Sequence, residues 1–125
     1  MEPVSLFYEK RAQLLLKNLR ARHFDACYCP NRTSALAAAL RLIPQSSLVG
    51  WGGARSADQI GLQQALRDGP WRVIDRESMQ TDAEREQAAH DCLSADFFLT
   101  GANAVSLTGE LVNIDGKGNR VAAIV

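Results

Sequence analysis

Between Val4 and His23 apolar residues recur at helical spacing, with Leu6, Leu14, Leu15, Leu16 and Leu19 set among Glu, Lys and Arg positions. That period predicts an amphipathic helix over 4–23. Phe24-Asp-Ala-Cys-Tyr-Cys29 then reads as a short strand closed by Pro30-Asn31. Asn31 or Thr33 is placed to cap the alanine-rich helix that follows to about Leu42, and Pro44 stops it. Ser47–Trp51 reads as a buried strand running into Gly52-Gly53. Ser56-Ala-Asp-Gln59 has the spacing of a capping box and predicts a helix to about Arg67, ended by Asp68-Gly69-Pro70.

The alternation continues downstream. Trp71–Asp75 is a strand, Thr81–Glu84 a second capping box opening a helix to about Leu93, and Ala95–Thr100 another strand. Two extended pieces, Ala104–Leu107 and Leu111–Ile114, flank a turn at Thr108-Gly109, and Arg120–Val125 reads as a last strand. Strand and helix in alternation imply an α/β fold, a mostly parallel sheet with helices on both faces. The piece from Ala104 to Ile114 departs from it as an antiparallel unit. Without linkers, repeats or low-complexity tracts, residues 1–125 form a single domain. Because Val121–Val125 is apolar and β-branched, it is expected to be interior, with the native domain continuing past Val125. Left as an exposed sheet edge, it is expected to self-associate into a homo-oligomer.

Composition narrows the classes. The 125 residues are enough for one core. Fourteen basic and fourteen acidic residues cancel, with no Lys/Arg cluster, so neither nucleic acid nor membrane is an expected partner. No apolar run approaches the roughly 20 residues that span a bilayer, and Met1-Glu2-Pro3-Val4 does not open a secretory signal. Cys27, Cys29 and Cys92 cannot all pair within one chain, which fits a reducing, cytoplasmic setting.

Two constellations carry candidate chemistry. Gly50-Trp-Gly-Gly-Ala-Arg-Ser56 leaves a strand and enters a helix. There Gly52 and Gly53 permit close backbone approach, Ser56 opens a helix N-terminus, and Arg55 offers a forked donor to a carboxylate or phosphate. The same glycines serve equally as a tight packing turn. The second constellation places Asn103, Glu110, Asn113, Asp115, Gly116, Gly118, Asn119 and Arg120 in two short loops after Thr100. A hairpin accounts for Asp-Gly-Lys-Gly, but not for the amides, carboxylates and arginine crowded at both its ends. Ligands in parallel sheets bind outside the strands' carboxyl ends, and Thr100 and Gly52 both stand at such ends. The two constellations are therefore expected to face one pocket. His23 and His90 lack a partner at metal spacing, and Cys27 and Cys29 fall short of the four ligands a zinc site needs, so no metal is expected. Arg72, Asp75 and Arg76 either line the pocket or pair with each other, and the Thr81–Asp91 charge run reads as a solvated helix face.

Val49-Gly-Trp-Gly-Gly-Ala-Arg-Ser56, Ile60-Gly-Leu62, Val73-Ile-Asp-Arg76 and the long block Phe98-Leu-Thr-Gly-Ala-Asn-Ala-Val-Ser-Leu-Thr-Gly-Glu-Leu-Val-Asn-Ile-Asp-Gly-Lys-Gly-Asn-Arg-Val-Ala122 resemble the LUD domain family, which includes the lactate-utilisation C-type proteins. The resemblance spans about Phe24 to Val125. It implies the fold shared by ribose-phosphate isomerases, glucosamine-phosphate deaminases and CoA transferases, and Gly101–Gly116 also resembles methylthioribose-phosphate isomerase and related initiation-factor subunits. By that resemblance Gly52, Gly53 and Ser56 hold an anionic group, while Asn103, Glu110 and Asp115 are polar or acid–base candidates.

The implied function is a part in oxidising lactate to pyruvate, with a small anionic metabolite at the glycine-rich turns and Glu110 or Asp115 as the catalytic acid/base. Family members continue past Val125, and some carry a cysteine-rich tail suited to an iron–sulfur cluster. A cluster is therefore expected only in such a tail or in partner proteins, and this chain shows no cofactor motif. The competing readings are a non-catalytic metabolite-sensing subunit and an assembly subunit beside iron–sulfur partners.

Overall fold

A computed structural model describes residues 2–116 and 118–125, excluding the side chain of Asn119. Lys117, within the predicted Gly116–Arg120 turn, lies outside the described residues. Helices α1 (Pro3–Ala21) and α2 (Arg32–Leu42) precede strand β1 (Leu48–Trp51). Two short helices, α3 (Arg55–Gln59) and α4 (Leu62–Asp68), lead to β2 (Arg72–Ile74). A 3-10 turn (Arg76–Ser78), α5 (Asp82–Asp91) and a second 3-10 turn (Cys92–Ser94) lead to β3 (Phe97–Leu99). The hairpin of β4 (Ala104–Val105) and β5 (Leu111–Val112) and helix α6 (Asn119–Ile124) close the chain.

The sheet is parallel, in the order β2-β1-β3, with Val49 opposite Val73 on one side and Phe97 on the other. Its centre follows from residue type. Val49 and Trp51, 0% and 3% exposed, share a face through the two-residue period of a strand, and they form the core with Ile43, Ala54, Leu62 and Leu66. Residues of α2, including Leu36 and Leu40, complete this layer. Burying a side chain such as Leu66 stabilises the fold by about 2 kcal/mol. Gly50 points to the opposite face, where a Cβ would stand 2.5 Å from Cys92 Sγ. The buried residues Ala88 and Cys92 bring α5 and its following turn onto that side, so helices cover both faces.

Local capping matches the expectation at two helices. The Asn31 carboxamide oxygen accepts from Ser34 N at 2.9 Å. Thr81 Oγ1 accepts from Glu84 N at 3.1 Å, and the Glu84 carboxylate returns to Gln80 N at 3.0 Å.

Four expectations are corrected. Residues 24–29 form no strand and join neither outer edge of the β2-β1-β3 sheet; the Ala26 carbonyl instead accepts from Arg20 Nη2 at 2.8 Å, which ties the segment to the end of α1. His23 stands past the helix end, at φ +68°. Ser56 caps nothing: α3 begins at Arg55 behind Ala54, and Gly61, at φ +78°, breaks the expected helix in two. The run at Val121–Val125 is helical up to Ile124 rather than a strand, so the sheet edge expected there is not formed. The cause is local: Asp115 Oδ2 accepts from Arg120 N at 2.6 Å and Val121 N at 3.2 Å, satisfying two donors at the helix start. Such capping overrides a weak β preference.

Gly50→Ala is expected to destabilise the protein by about 2 kcal/mol in urea unfolding, because the new methyl overlaps Cys92. Adding Cys92→Ala should restore part of that loss. A Gly50→Ala protein as stable as the parent would show that the sheet and α5 are not packed this closely.

Candidate anion-binding site

The site is assembled where β1 and β3 end side by side. Gly52 N donates to Leu99 O at 3.3 Å, and Gly101 N to Gly53 O at 3.4 Å, joining the two loops. Arg120 fastens them from the far end of the chain: its guanidinium donates to Asn103 Oδ1 at 2.6 Å, Ile114 O at 2.7 Å and Gly53 O at 3.5 Å. Asn103 Oδ1 also accepts from Ile114 N at 2.9 Å. The structure thus brings Gly52, Gly53, Asn103, Asp115 and Arg120 together, with Arg120 acting here as an internal bracket.

Other predicted residues stand apart. Glu110 sits at the hairpin turn, accepting from Thr108 Oγ1 at 2.9 Å and lying 3.8 Å from Arg22, the residue that follows α1. Arg55 and Ser56 are exposed on α3 and line no cavity described here. Asn113 Oδ1 is buried without a hydrogen-bond partner. Gly116 and Gly118 are exposed, and Gly118 borders a cavity.

Two cavities meet at Arg76 and Arg85, and the smaller opens beside the Gly52–Gly53 turn. The smaller, of about 320 Å³, is lined by Trp51, Gly52 and Gly53 on one side and Arg76, Glu77 and Arg85 on the other. The larger, of about 590 Å³, shares Arg76 and Arg85 and extends between α5 and α6. Trp51 Nε1 and Arg76 Nε are both buried and both lack a hydrogen-bond partner. Buried donors left unpaired are costly, and the two residues that carry them both line the smaller cavity. Of the charged side chains around the smaller cavity, Glu77 is held by Arg67 at 2.8 Å and Arg85 by Asp82 at 2.8 Å. Arg76 makes no ion pair among the described residues.

The position of Arg76 depends on its neighbour in sequence. Asp75 receives both arms of Arg67, Nε at 2.7 Å and Nη2 at 3.1 Å, and its carboxylate also accepts from Glu77 N at 3.2 Å. The Arg67 guanidinium lies over the Trp51 ring, 5.3 Å from its centre. The Asp75 hydrogen bond, opposed by burial, raises the Arg67 pKa above its ordinary value. Asp75 therefore pairs with Arg67 rather than with Arg72 or Arg76, and Arg72 lies 3.8 Å from Asp96. Arg76 is left to face the cavities.

Arg85, Glu86 and His90 border the larger cavity although the α5 charges read in sequence as a solvated face. The spacing of Arg85, Ala89 and Leu93 on one helical flank was the available signal. Burial pushes the Cys92 thiol up, while Arg76 acts in the opposite sense. Burial, followed by the neighbouring Cys27, raises that of Cys29. Among the described residues no three His, Cys, Asp or Glu stand together as a metal-ligating group, and no helix is long and apolar enough to cross a membrane.

A family model for the LUD domain matches residues 12–125, and the chain belongs to the LUD domain family. No curated protein and no solved structure matches it.

Asp75→Ala is expected to lower stability by about 2 kcal/mol, since it strips a partly buried guanidinium of its bidentate partner. Urea unfolding with an unchanged slope checks this, and a loss below about 0.5 kcal/mol would remove the pair from its structural role.

Proposed function

We propose that this LUD-domain protein serves lactate utilisation by binding a small carboxylate between the Gly52–Gly53 turn and Arg76. The observation that carries the reading is the pair of orphan donors, Trp51 Nε1 and Arg76 Nε, on residues lining one cavity beside that turn. A carboxylate in that cavity offers acceptor oxygens to the Arg76 guanidinium, and a partly desolvated guanidinium binds it more strongly than water-exposed lysines do. Arg120 and Asn103 hold the floor of the site, with Arg85 as a second positive group.

In the enzymatic form of this reading, lactate is oxidised to pyruvate. Its two electrons pass to iron–sulfur partner proteins; of the two protons released, one from the hydroxyl and one from Cα, Glu110 or Asp115 accepts one and the other goes to solvent. A second reading, a binding or sensing subunit without turnover, draws support from one observation: both carboxylates have internal partners and neither is among the described residues that line these two cavities. Glu110→Gln separates the two readings. Loss of turnover with lactate and an electron acceptor, while lactate still binds, supports the enzyme; binding with no turnover in the parent supports the sensor.

Calorimetric titration with L-lactate and pyruvate tests the shared premise. Binding should weaken about tenfold or more in Arg76→Ala, the loss of a hydrogen bond to a charged group. If neither acid binds the parent, or if Arg76→Ala binds equally well, the premise is wrong.

A further inference from the structure

We infer that the ligand is a 2-hydroxy or 2-oxo acid with an apolar side chain longer than that of lactate, its carboxylate at Arg76 and its tail in the larger cavity. This deepens the proposed function and rests on it. The two cavities share Arg76 and Arg85, so these guanidinium groups stand at a junction rather than at the end of a pocket. Beyond the junction the larger cavity, of about 590 Å³, is walled by Ala89, Leu93 and Ala122. Leu93 is 52% exposed, a large apolar residue left open to solvent on that wall.

The chemistry of the lining divides in two. Asp82, Glu86 and His90 also line this cavity, with Asp82 already paired to Arg85. A second anionic group on the ligand would meet Asp82 and Glu86 unfavourably, which argues against a dicarboxylate or a bisphosphate. An alkyl or aryl tail meets Ala89, Leu93 and Ala122 with no such opposition. A three-carbon acid at the junction would leave this cavity filled with water. Pockets of several hundred Å³ generally match ligands that fill them.

The experiment is a calorimetric series on the whole chain with lactate, 2-hydroxybutyrate, 2-hydroxyhexanoate and phenyllactate. Affinity should rise about two- to fourfold per added methylene, so that 2-hydroxyhexanoate binds roughly tenfold or more tighter than lactate. Leu93→Ser should flatten this gradient, and Ala122→Phe, which fills the cavity from α6, should weaken the longer acids relative to lactate. Circular dichroism and urea midpoints show that each variant is folded. If lactate binds through Arg76 but affinity stays flat or falls with chain length, the tail site is overturned and the proposed function stands. If no acid in the series binds, both are overturned. A gradient that persists unchanged in both variants places the tail elsewhere and also overturns the inference.

Discussion

The forked ion pair between Arg67 and Asp75 is the interaction on which the rest of the site depends. It joins α4 to the end of β2, and it does so over the ring of Trp51, the innermost residue of the central strand's exit. The carboxylate that receives Arg67 is also the cap of the turn carrying Arg76. One aspartate thereby neutralises the guanidinium it touches and leaves the next one, a single residue along the chain, without an ion pair among the described residues. An arginine without an ion pair beside a cavity is open to a ligand, as the proposed function requires of Arg76, whereas one locked in a fork is a structural element, and Asp75 decides which is which.

Arg120 shows the same division of labour from the other side. It lies in the block that carries the family resemblance, and donor chemistry alone makes it a candidate to grip a ligand. Its guanidinium is instead spent on the Asn103 side chain and the Ile114 and Gly53 carbonyls, drawing the hairpin base against the β1 exit. Its buried Nε has no partner. The residue shapes the floor of the site by pulling three segments together.

Much of the fold is legible in the sequence because it is dictated locally or by burial. The apolar run at Ser47–Trp51 is continuous because β1 is flanked on both sides, and the caps at Asn31 and Thr81 are read directly from short polar side chains ahead of helical stretches. The misreadings have a common origin. Phe24–Cys29 has strand composition but its Ala26 carbonyl is taken by Arg20 of α1, and Val121–Val125 has strand composition but a helix cap upstream in Asp115. In both, a nonlocal or neighbouring hydrogen bond outweighs residue preference. The meeting of the β1 and β3 exits beside Gly52 and Gly53 was legible in the sequence, but the lining of the adjoining cavities was not. Arg85 and His90 sit in a helix whose charges look solvated from the sequence, and only the packing of α6 beside α5 turns one flank of it into a cavity wall.

The attachment of α1 differs in kind from that of the other helices. Leu16 is its only buried residue among those described, and its ties to the hairpin are polar: Asn18 donates to Leu107 O at 2.6 Å and Arg22 to Thr108 O at 3.0 Å. Such contacts release little apolar surface when they open. Helix and hairpin tip therefore form a unit that can detach from the sheet at a free energy well below that of global unfolding. In hydrogen exchange that unit would appear as a separate, early-exchanging layer, while β1 and its helices stay protected. The hairpin base, bracketed by Arg120, marks the hinge between the two regimes.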